Sequence, residues 1–278
     1  WGFGQPAAQL ATQLAIAKAR GSGIASVGIR HAGHIGRLGE YAETVAREDM
    51  IALVMASGGD TGGLLAPYGG AERVFSTNPI GAAVPARRHA PFIMDYATSV
   101  VAAGRIQLLP DQNARIPEGW VVDAAGKPAT VARQLMEGGA LLPFGGHKGY
   151  ALALLIELMC GALTEAGCSE RPDTIVERGL GGNAAFIIVI NPSQFLDLDQ
   201  FYGSVDGFFD RLKRVKPAVG FDRVRVPGEP EAEHRAKHLD AGISVEAATW
   251  EKIEAVAAQY HVRLDDIVAD GMSRAQHP

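Results

Sequence analysis

Gly21-Ser-Gly-Ile-Ala-Ser-Val-Gly-Ile-Arg30 is the stretch on which the fold turns. Its glycines resemble those of a dinucleotide-binding turn, but such a turn must follow a strand and open a helix so that helix amides meet the pyrophosphate. Here the order is reversed. Ala7, Leu10, Ala11, Leu14, Ala15 and Ala17 keep helical spacing before the glycines, and Pro6 suits a first turn, which predicts a helix over residues 6–20. Ile24, Val27 and Ile29 alternate with smaller residues after them, which predicts a strand over 24–30. The glycines therefore stop a helix rather than cradle a phosphate, and the regular strand-helix alternation of a doubly wound fold is absent.

Outward from this stretch, His31-Ala-Gly-His-Ile-Gly36 reads as a loop at the strand's end, and a helix is expected over 38–48. Ile51-Ala-Leu-Val-Met-Ala56 is unbroken in its apolar character, as suits a core strand covered on both faces. The glycine-dense loop 57–70 exceeds the usual connection of about 4–6 residues and is a candidate functional loop. Strands are expected over 80–85 and 91–96, then a helix over 97–109 with Thr98 or Ser99 as its cap. Residues 121–128 carry the turn residues of a hairpin or loop. Phe144-Gly-Gly-His-Lys-Gly149 leads into an apolar helix over 150–163, and a polar stretch to Gly182 precedes a strand over 184–190. Helices over 198–215, 231–239 and 245–260 complete an α/β chain with a mixed sheet and a helical C-terminal part.

With 278 residues, 47% of them hydrophobic, the chain has the apolar surface for one large core or for two domains sharing an interface. A net charge of -5 supplies no basic field for nucleic acid. Cys160 and Cys168, the only two cysteines, write neither a disulfide framework nor a four-thiolate metal site, so a reducing, cytoplasmic compartment is expected. The apolar run 150–163 contains Glu157 and falls short of the roughly 20 residues that span a bilayer, so it reads as a buried helix and no membrane partner is expected. Trp1 in place of a methionine suggests numbering that begins inside a longer protein.

Several catalytic patterns are incomplete. His31 and His34 have no third Cys, Asp or Glu at ligand spacing, so a metal-dependent hydrolase on this pair is a rival reading and no metal is assigned. His234 and His238 lack the intervening glutamate of a zinc peptidase helix and read as a charged solvated face. No Gly-x-Ser-x-Gly elbow anchors a serine hydrolase, and residues 144–149 lack the ending of a P-loop while remaining an anion cradle. His34 lies between glycines that let backbone approach a ligand, and imidazole exchanges protons near neutral pH. Asp95 ends an apolar run and needs a partner there, either a histidine it orients or the amides of the next helix. Lys148 follows flexible glycines and either faces a cleft or stands as an exposed first-turn lysine.

Six motifs in order are His31-Ala-Gly-His-Ile-Gly-Arg-Leu-Gly39, Ala66-Pro-Tyr-Gly-Gly70, Ser76-Thr-Asn-Pro79, Met94-Asp-Tyr-Ala-Thr-Ser99, Gly146-His-Lys-Gly-Tyr150 and Val226-Pro-Gly-Glu229. Together they resemble the type-2 malate/L-lactate dehydrogenase family, most closely its hydroxycarboxylate dehydrogenase B branch. The resemblance implies a non-Rossmann nicotinamide-binding fold with a mixed, largely antiparallel sheet, and a homodimer whose clefts are completed at subunit contacts. Residues 1–50 would belong to the N-terminal, substrate domain, 51–192 to the nicotinamide cofactor domain, and 193–278 to a helical region packing back on the first. It implies NAD or NADP as cofactor and a small 2-oxo or 2-hydroxy acid as substrate.

His34 would be the catalytic acid/base and Asp95 its orienting carboxylate. Ala97, Thr98, His147, Lys148, Gly149, Gly228 and Glu229 would line the cofactor. Relatives carry a Ser-His-Gly segment with a downstream Arg ahead of the point where this chain starts; that Arg is the cation expected for the substrate carboxylate, with Arg37 as a weaker local substitute. Residues 57–59 lack the Ser-Asp pair of ureidoglycolate members, which points to another acid. Two alternatives stay open: a catalytically silent nucleotide-binding subunit without the substrate clamp, and a cyclic imino acid reductase.

Overall fold

The computed structural model describes residues 2–58, 63–109, 111, 113–169 and 182–264. Residues 59–62 of the glycine-dense loop, 170–181 of the polar stretch, Trp1 and 265–278 lie outside the described residues. Two compact units divide the chain, Trp1–Glu229 and Pro230–Pro278.

The first unit is built on a five-stranded sheet in the order β1-β8-β2-β3-β4, with β1 Ile24–Ala32, β2 Ile51–Ser57, β3 Ile80–Val84, β4 Phe92–Tyr96 and β8 Asn183–Ile190. Every strand pair in it is antiparallel. The sheet is antiparallel, as the resemblance largely implied, and not mixed: among the described residues parallel pairing is confined to two isolated bridges, Gly2 with Ala32 and Leu65 with Leu141. β8 lies between β1 and β2, so strands from both sides of the expected boundary at residue 50 hydrogen-bond to one neighbour.

Period-two alternation sorts the central strands onto two faces. Ala52, Val54 and Ala56 of β2 and Ala185, Ile187 and Val189 of β8 pack with helices α1 (Gly4–Ser22) and α2 (Leu38–Ala46). Met55, Ala184 and Phe186 face the other way, onto Ile156 and Cys160. Those two residues belong to α5 (His147–Glu157) and to the π-helical turn Leu158–Ala162 that continues it. The first helix presents small residues, Ala8, Ala11, Ala15 and Ala19, which lets it lie close to the sheet. It ends at Gly23, whose φ of 79° and N–H to Ala19 O close the last turn.

Three sequence readings change. The strand β1 continues through His31 and Ala32 after a register shift at residues 29–32, with His31 at a φ of 55°, so the expected loop begins later. The expected helix over 97–109 shrinks to α3, Ala103–Gln107, and neither Thr98 nor Ser99 caps it. The reason is tertiary pairing: Thr98 N–H donates to Thr77 O, Ser99 bridges Pro143, and Val100 N–H donates to Leu142 O, which holds this segment extended. The hairpin expected over 121–128 forms as β5 (Val121–Val122) and β6 (Pro128–Ala129), and β7 (Ala140–Leu141) completes a small antiparallel sheet. That sheet, with α3 and α4 (Arg133–Met136), encloses a second core around Ile106, Val121, Leu135 and Leu141.

Helix α6, Leu198–Lys213, docks on the turn between β3 and β4 through charge. Buried Asp206 accepts the backbone N–H groups of Arg87 at 3.3 Å and Arg88 at 3.2 Å, while Asp210 pairs with His89 and Arg88. Asp206→Ala leaves both amides without their acceptor. It is expected to cost about 2 kcal/mol of unfolding free energy, read from urea denaturation. The second unit contributes α7, Glu229–Ala241, whose first residue closes the first unit, and α8, Ala247–Gln259. No described helix is long and apolar enough to cross a membrane.

Candidate active site

The loop carrying His34 is pinned on both sides. Gly33 N–H donates to Gly2 O at 2.8 Å, Ile35 is buried, and the Tyr41 hydroxyl donates to Ile35 O. Burial, with Glu40 nearby, raises the Tyr41 hydroxyl's pKa, so it stays a donor at neutral pH. Between these anchors the His34 side chain is exposed. Its Nδ1 accepts Gly36 N–H at 3.1 Å, so the neutral ring carries its proton on Nε2.

Helix α1 starts against the same loop: a Cβ on Gly4 would lie 2.0 Å from Gly33 O and 2.5 Å from His34 O. Gly4→Ala is therefore expected to displace residues 33–34 at a cost of about 1–3 kcal/mol. Amide exchange over residues 33–36 should speed up while the central strands keep their protection.

Asp95, on β4, accepts Gly39 N–H at 2.7 Å and lies 3.7 Å from Arg37 Nε. It caps the first turn of α2, where the N-cap residue Arg37 supplies no side-chain oxygen. The helix it caps precedes it in the chain, and no hydrogen bond joins Asp95 to His34 among the described residues. Arg37 folds over Gly39, where a Cβ would meet its guanidinium at 2.7 Å, and its second carboxylate is Glu43 at 4.0 Å.

The segments assigned to a cofactor meet next to this strand. Thr98 is fully buried and donates both N–H and hydroxyl to Thr77 O, while Thr98 O accepts Phe144 N–H. Tyr96 meets Phe144 edge-on at 5.6 Å, and Tyr68 meets His147 edge-on at 6.0 Å. Gly145 and Gly146 turn the chain into α5 with φ of 58° and 63°, conformations that glycine adopts without steric cost. The first turn of α5 has no acidic residue, and His147 and Lys148 are exposed on it while Gly149 is buried against Phe144.

Pro227 O accepts Ile93 N–H, and the Cα of Gly228 closes on Ile93 so tightly that a Cβ would lie 3.0 Å away. Glu229 is occupied, with one oxygen accepting Lys213 Nζ and the other Val226 N–H. Burial alone would raise the Glu229 carboxyl, but these two donors outweigh it and hold the pKa below the ordinary glutamate value. A depressed carboxyl pKa stabilises the fold above its unfolded value and loses that contribution as pH falls through the folded value. Thermal unfolding of the wild type should therefore lose stability more steeply than Glu229→Gln between about pH 5 and the folded carboxyl's lower pKa.

Four of the six motifs thus meet at β4 and the segment after it, Phe144 ties Gly149 of the fifth to Thr98, and Tyr68 of the sixth meets His147. Sequence reading missed two residues that join them. Asn78 is fully buried at a φ of 28°, with Nδ2 donating to Glu157 Oε2 at 2.7 Å and to Ala153 O at 3.0 Å. Glu157 is buried on the core-facing stripe of α5, with its other oxygen accepting the Ser169 hydroxyl. A charged residue in that apolar stripe was the available signal. Cys160, one turn further, has its thiol pushed up to about 12 by burial, with Glu157 adding to the effect, and so carries no thiolate nucleophile at neutral pH. Among the described residues no group of three His, Cys, Asp or Glu is placed to hold a metal ion.

The chain's sequence matches the family described as malate/L-lactate dehydrogenase over residues 1–254. An L-lactate dehydrogenase of Cupriavidus necator is 36% identical over 264 residues, covering 94% of this chain and 75% of that protein. A delta(1)-pyrroline-2-carboxylate/delta(1)-piperideine-2-carboxylate reductase of Pseudomonas putida is 37% identical over 251 residues, covering 88% of this chain and 69% of that protein. The crystal structure of malate dehydrogenase from Entamoeba histolytica superposes with a TM-score of 0.87 at 26% identity, covering 94% of this chain and 75% of that one.

Proposed function

The chain belongs to the malate/L-lactate dehydrogenase family, and on that premise we propose that it interconverts a small 2-oxo acid and its 2-hydroxy acid with NAD or NADP. The coarser statement, an oxidoreductase acting on hydroxy or oxo acids, follows from what its relatives share. The observation that carries the finer reading is that four of the six motifs meet at β4 and the segment after it, one with an exposed imidazole, while Phe144 ties the glycine turn beside exposed Lys148 to Thr98.

The residues at the start of α5 fit an anionic dinucleotide. Two positive-φ glycines, an N-terminal turn free of acidic residues and exposed Lys148 favour negative charge there. In this reading Lys148, Gly149 and His147 hold the cofactor with Ala97 and Thr98, and Gly228 and Glu229 shape a neighbouring loop. Bound nicotinamide supplies and accepts the hydride.

His34 handles the proton. In its doubly protonated form it gives the Nε2 proton to the substrate's carbonyl oxygen, and in the reverse direction Nε2 takes the hydroxyl proton. Both forms carry a proton on Nδ1, so catalysis requires the ring to release Gly36 N–H. Arg37 is the cation proposed for the substrate carboxylate, its charge shared with Asp95 and Glu43. A homodimer belongs to the proposal, supported by exposed Leu154, Leu155 and Leu158 along α5 and its continuation. Cys160 and Cys168, neither in a disulfide, fit a reducing cytoplasm.

The Pseudomonas putida relative favours a second reading, reduction of a cyclic imino acid. Absorbance of NADH and NADPH with a panel of 2-oxo acids and with delta(1)-piperideine-2-carboxylate, with and without chelator, tests both. Oxidation by 2-oxo acids that ignores chelator supports the proposal. Oxidation by the imino acid alone supports the second reading, and no oxidation by any of them refutes both.

A further inference from the structure

We propose that Asn78 and Glu157 are positioning residues that set cofactor affinity by locking the glycine turn of α5 against the segment 97–99. The inference rests on the cofactor reading above and goes beyond it in assigning work to two buried side chains outside the site.

The hydrogen bonds form a closed circuit. Glu157 Oε2 accepts Asn78 Nδ2 at 2.7 Å. Thr77, the next residue back, accepts the Thr98 N–H and hydroxyl, each at 2.9 Å. Thr98 O accepts Phe144 N–H at 3.0 Å, and Phe144 O accepts Gly149 N–H at 3.0 Å. Gly149 lies two turns before Glu157 in α5, and the helix itself closes the ring.

Most links in this circuit are backbone. The one made by two side chains is Asn78 with Glu157, and the same Asn78 amide also reaches Ala153 O at 3.0 Å, so α5 is held at two points one turn apart. Two further features mark the link as more than filling. A carboxylate in an apolar stripe costs free energy unless hydrogen-bonded, and Glu157 is satisfied by the neutral donors Asn78 and Ser169. Asn78 holds a φ of 28°, in the left-handed region, and Ser76 donates to its Oδ1 at 2.6 Å.

Loss of the link lets α5 and its first turn shift relative to Thr98, which weakens a ligand that needs both. Glu157→Gln keeps an oxygen to accept Asn78, and its amide donates to Ser169 Oγ, reversing the bond that the Ser169 hydroxyl makes to the carboxylate. Glu157→Ala leaves Asn78 without an acceptor in the core. Asn78→Ala/Glu157→Leu removes both buried polar groups of the link, and the half-buried Ser76 and Ser169 hydroxyls that lose these partners remain within reach of water.

The test titrates NADH and NADPH against each variant by calorimetry and records thermal unfolding beside it. Expected are a Kd within about twofold of wild type for Glu157→Gln, and a Kd raised about tenfold for the double variant with its melting temperature retained. KM for the 2-oxo acid should move less than KM for the cofactor. A double variant that folds and binds cofactor as wild type does overturns the inference and leaves the cofactor reading intact. A wild type that binds neither nucleotide overturns both.

Discussion

His34→Ala is expected to lower kcat for 2-oxo acid reduction by about 10²–10⁴-fold, the usual contribution of a positioned acid or base. The same substitution should leave the Kd for NADH or NADPH within about twofold, because the cofactor is assigned to the α5 turn and the Thr98 segment. Two structural facts make the separation clean. The ring is exposed, so its removal opens no core cavity, and its one hydrogen bond among the described residues is to a local backbone amide, Gly36 N–H. The loop's anchors, Gly2 O on one side and the Tyr41 hydroxyl on the other, do not involve the imidazole. Stopped-flow absorbance of the nicotinamide with calorimetric binding beside it gives both numbers. A kcat within threefold of wild type would remove His34 from the chemistry.

Gly149→Ala is expected to abolish measurable cofactor binding while costing about 1–3 kcal/mol of stability. An added methyl would lie 2.3 Å from Phe144 O and 2.8 Å from Phe144 N, closer than any Cβ tolerates, and the obstacle is backbone rather than a movable side chain. Relief requires the Gly149 N–H to leave Phe144 O, which opens the turn that presents Lys148. Gly145→Ala is the matched control. It also meets a positive φ, 58°, but its nearest neighbour would be Lys148 Cβ at 3.8 Å, so it pays only the left-handed strain of about 1 kcal/mol. Cofactor titration should therefore separate the two alanines widely although they sit four residues apart. Equal, near-wild-type binding by both would show that the turn is not a cofactor element.

Much of the fold was legible where a periodic pattern coincided with local sequence. Small apolar residues at helical spacing predicted α1, and the unbroken run 51–56 marked a strand with both faces covered, which is what β2 became between β8 and β3. Residues 97–109 show the opposite case. Their apolar spacing suits a helix, but Thr98, Ser99 and Val100 pair their backbones with segments from Thr77 to Pro143, and such partners have no trace in a local window.

The candidate site followed the same division. His34 and Lys148 stood out because glycines flank them. Asp95 was legible as a carboxylate in need of a partner, but that partner is the first turn of α2, 56 residues back along the chain. Asn78 stood within the motif Ser76-Thr-Asn-Pro79 with no role of its own, and Glu157 served only as an argument against a membrane span. Their importance appears once β2, the turn after it and α5 are folded together, because a hydrogen bond between residues 79 positions apart is set by topology.

The most direct test of hydride transfer at this site is a single turnover with NADH or NADPH carrying deuterium at the transferred position of the nicotinamide, using a 2-oxo acid found active in the absorbance panel. Mass spectrometry of the product is predicted to place the deuterium on the carbon bearing the new hydroxyl, with the His34→Ala protein forming that product far more slowly. Deuterium retained on the nucleotide, or a product without it on that carbon, would contradict the account.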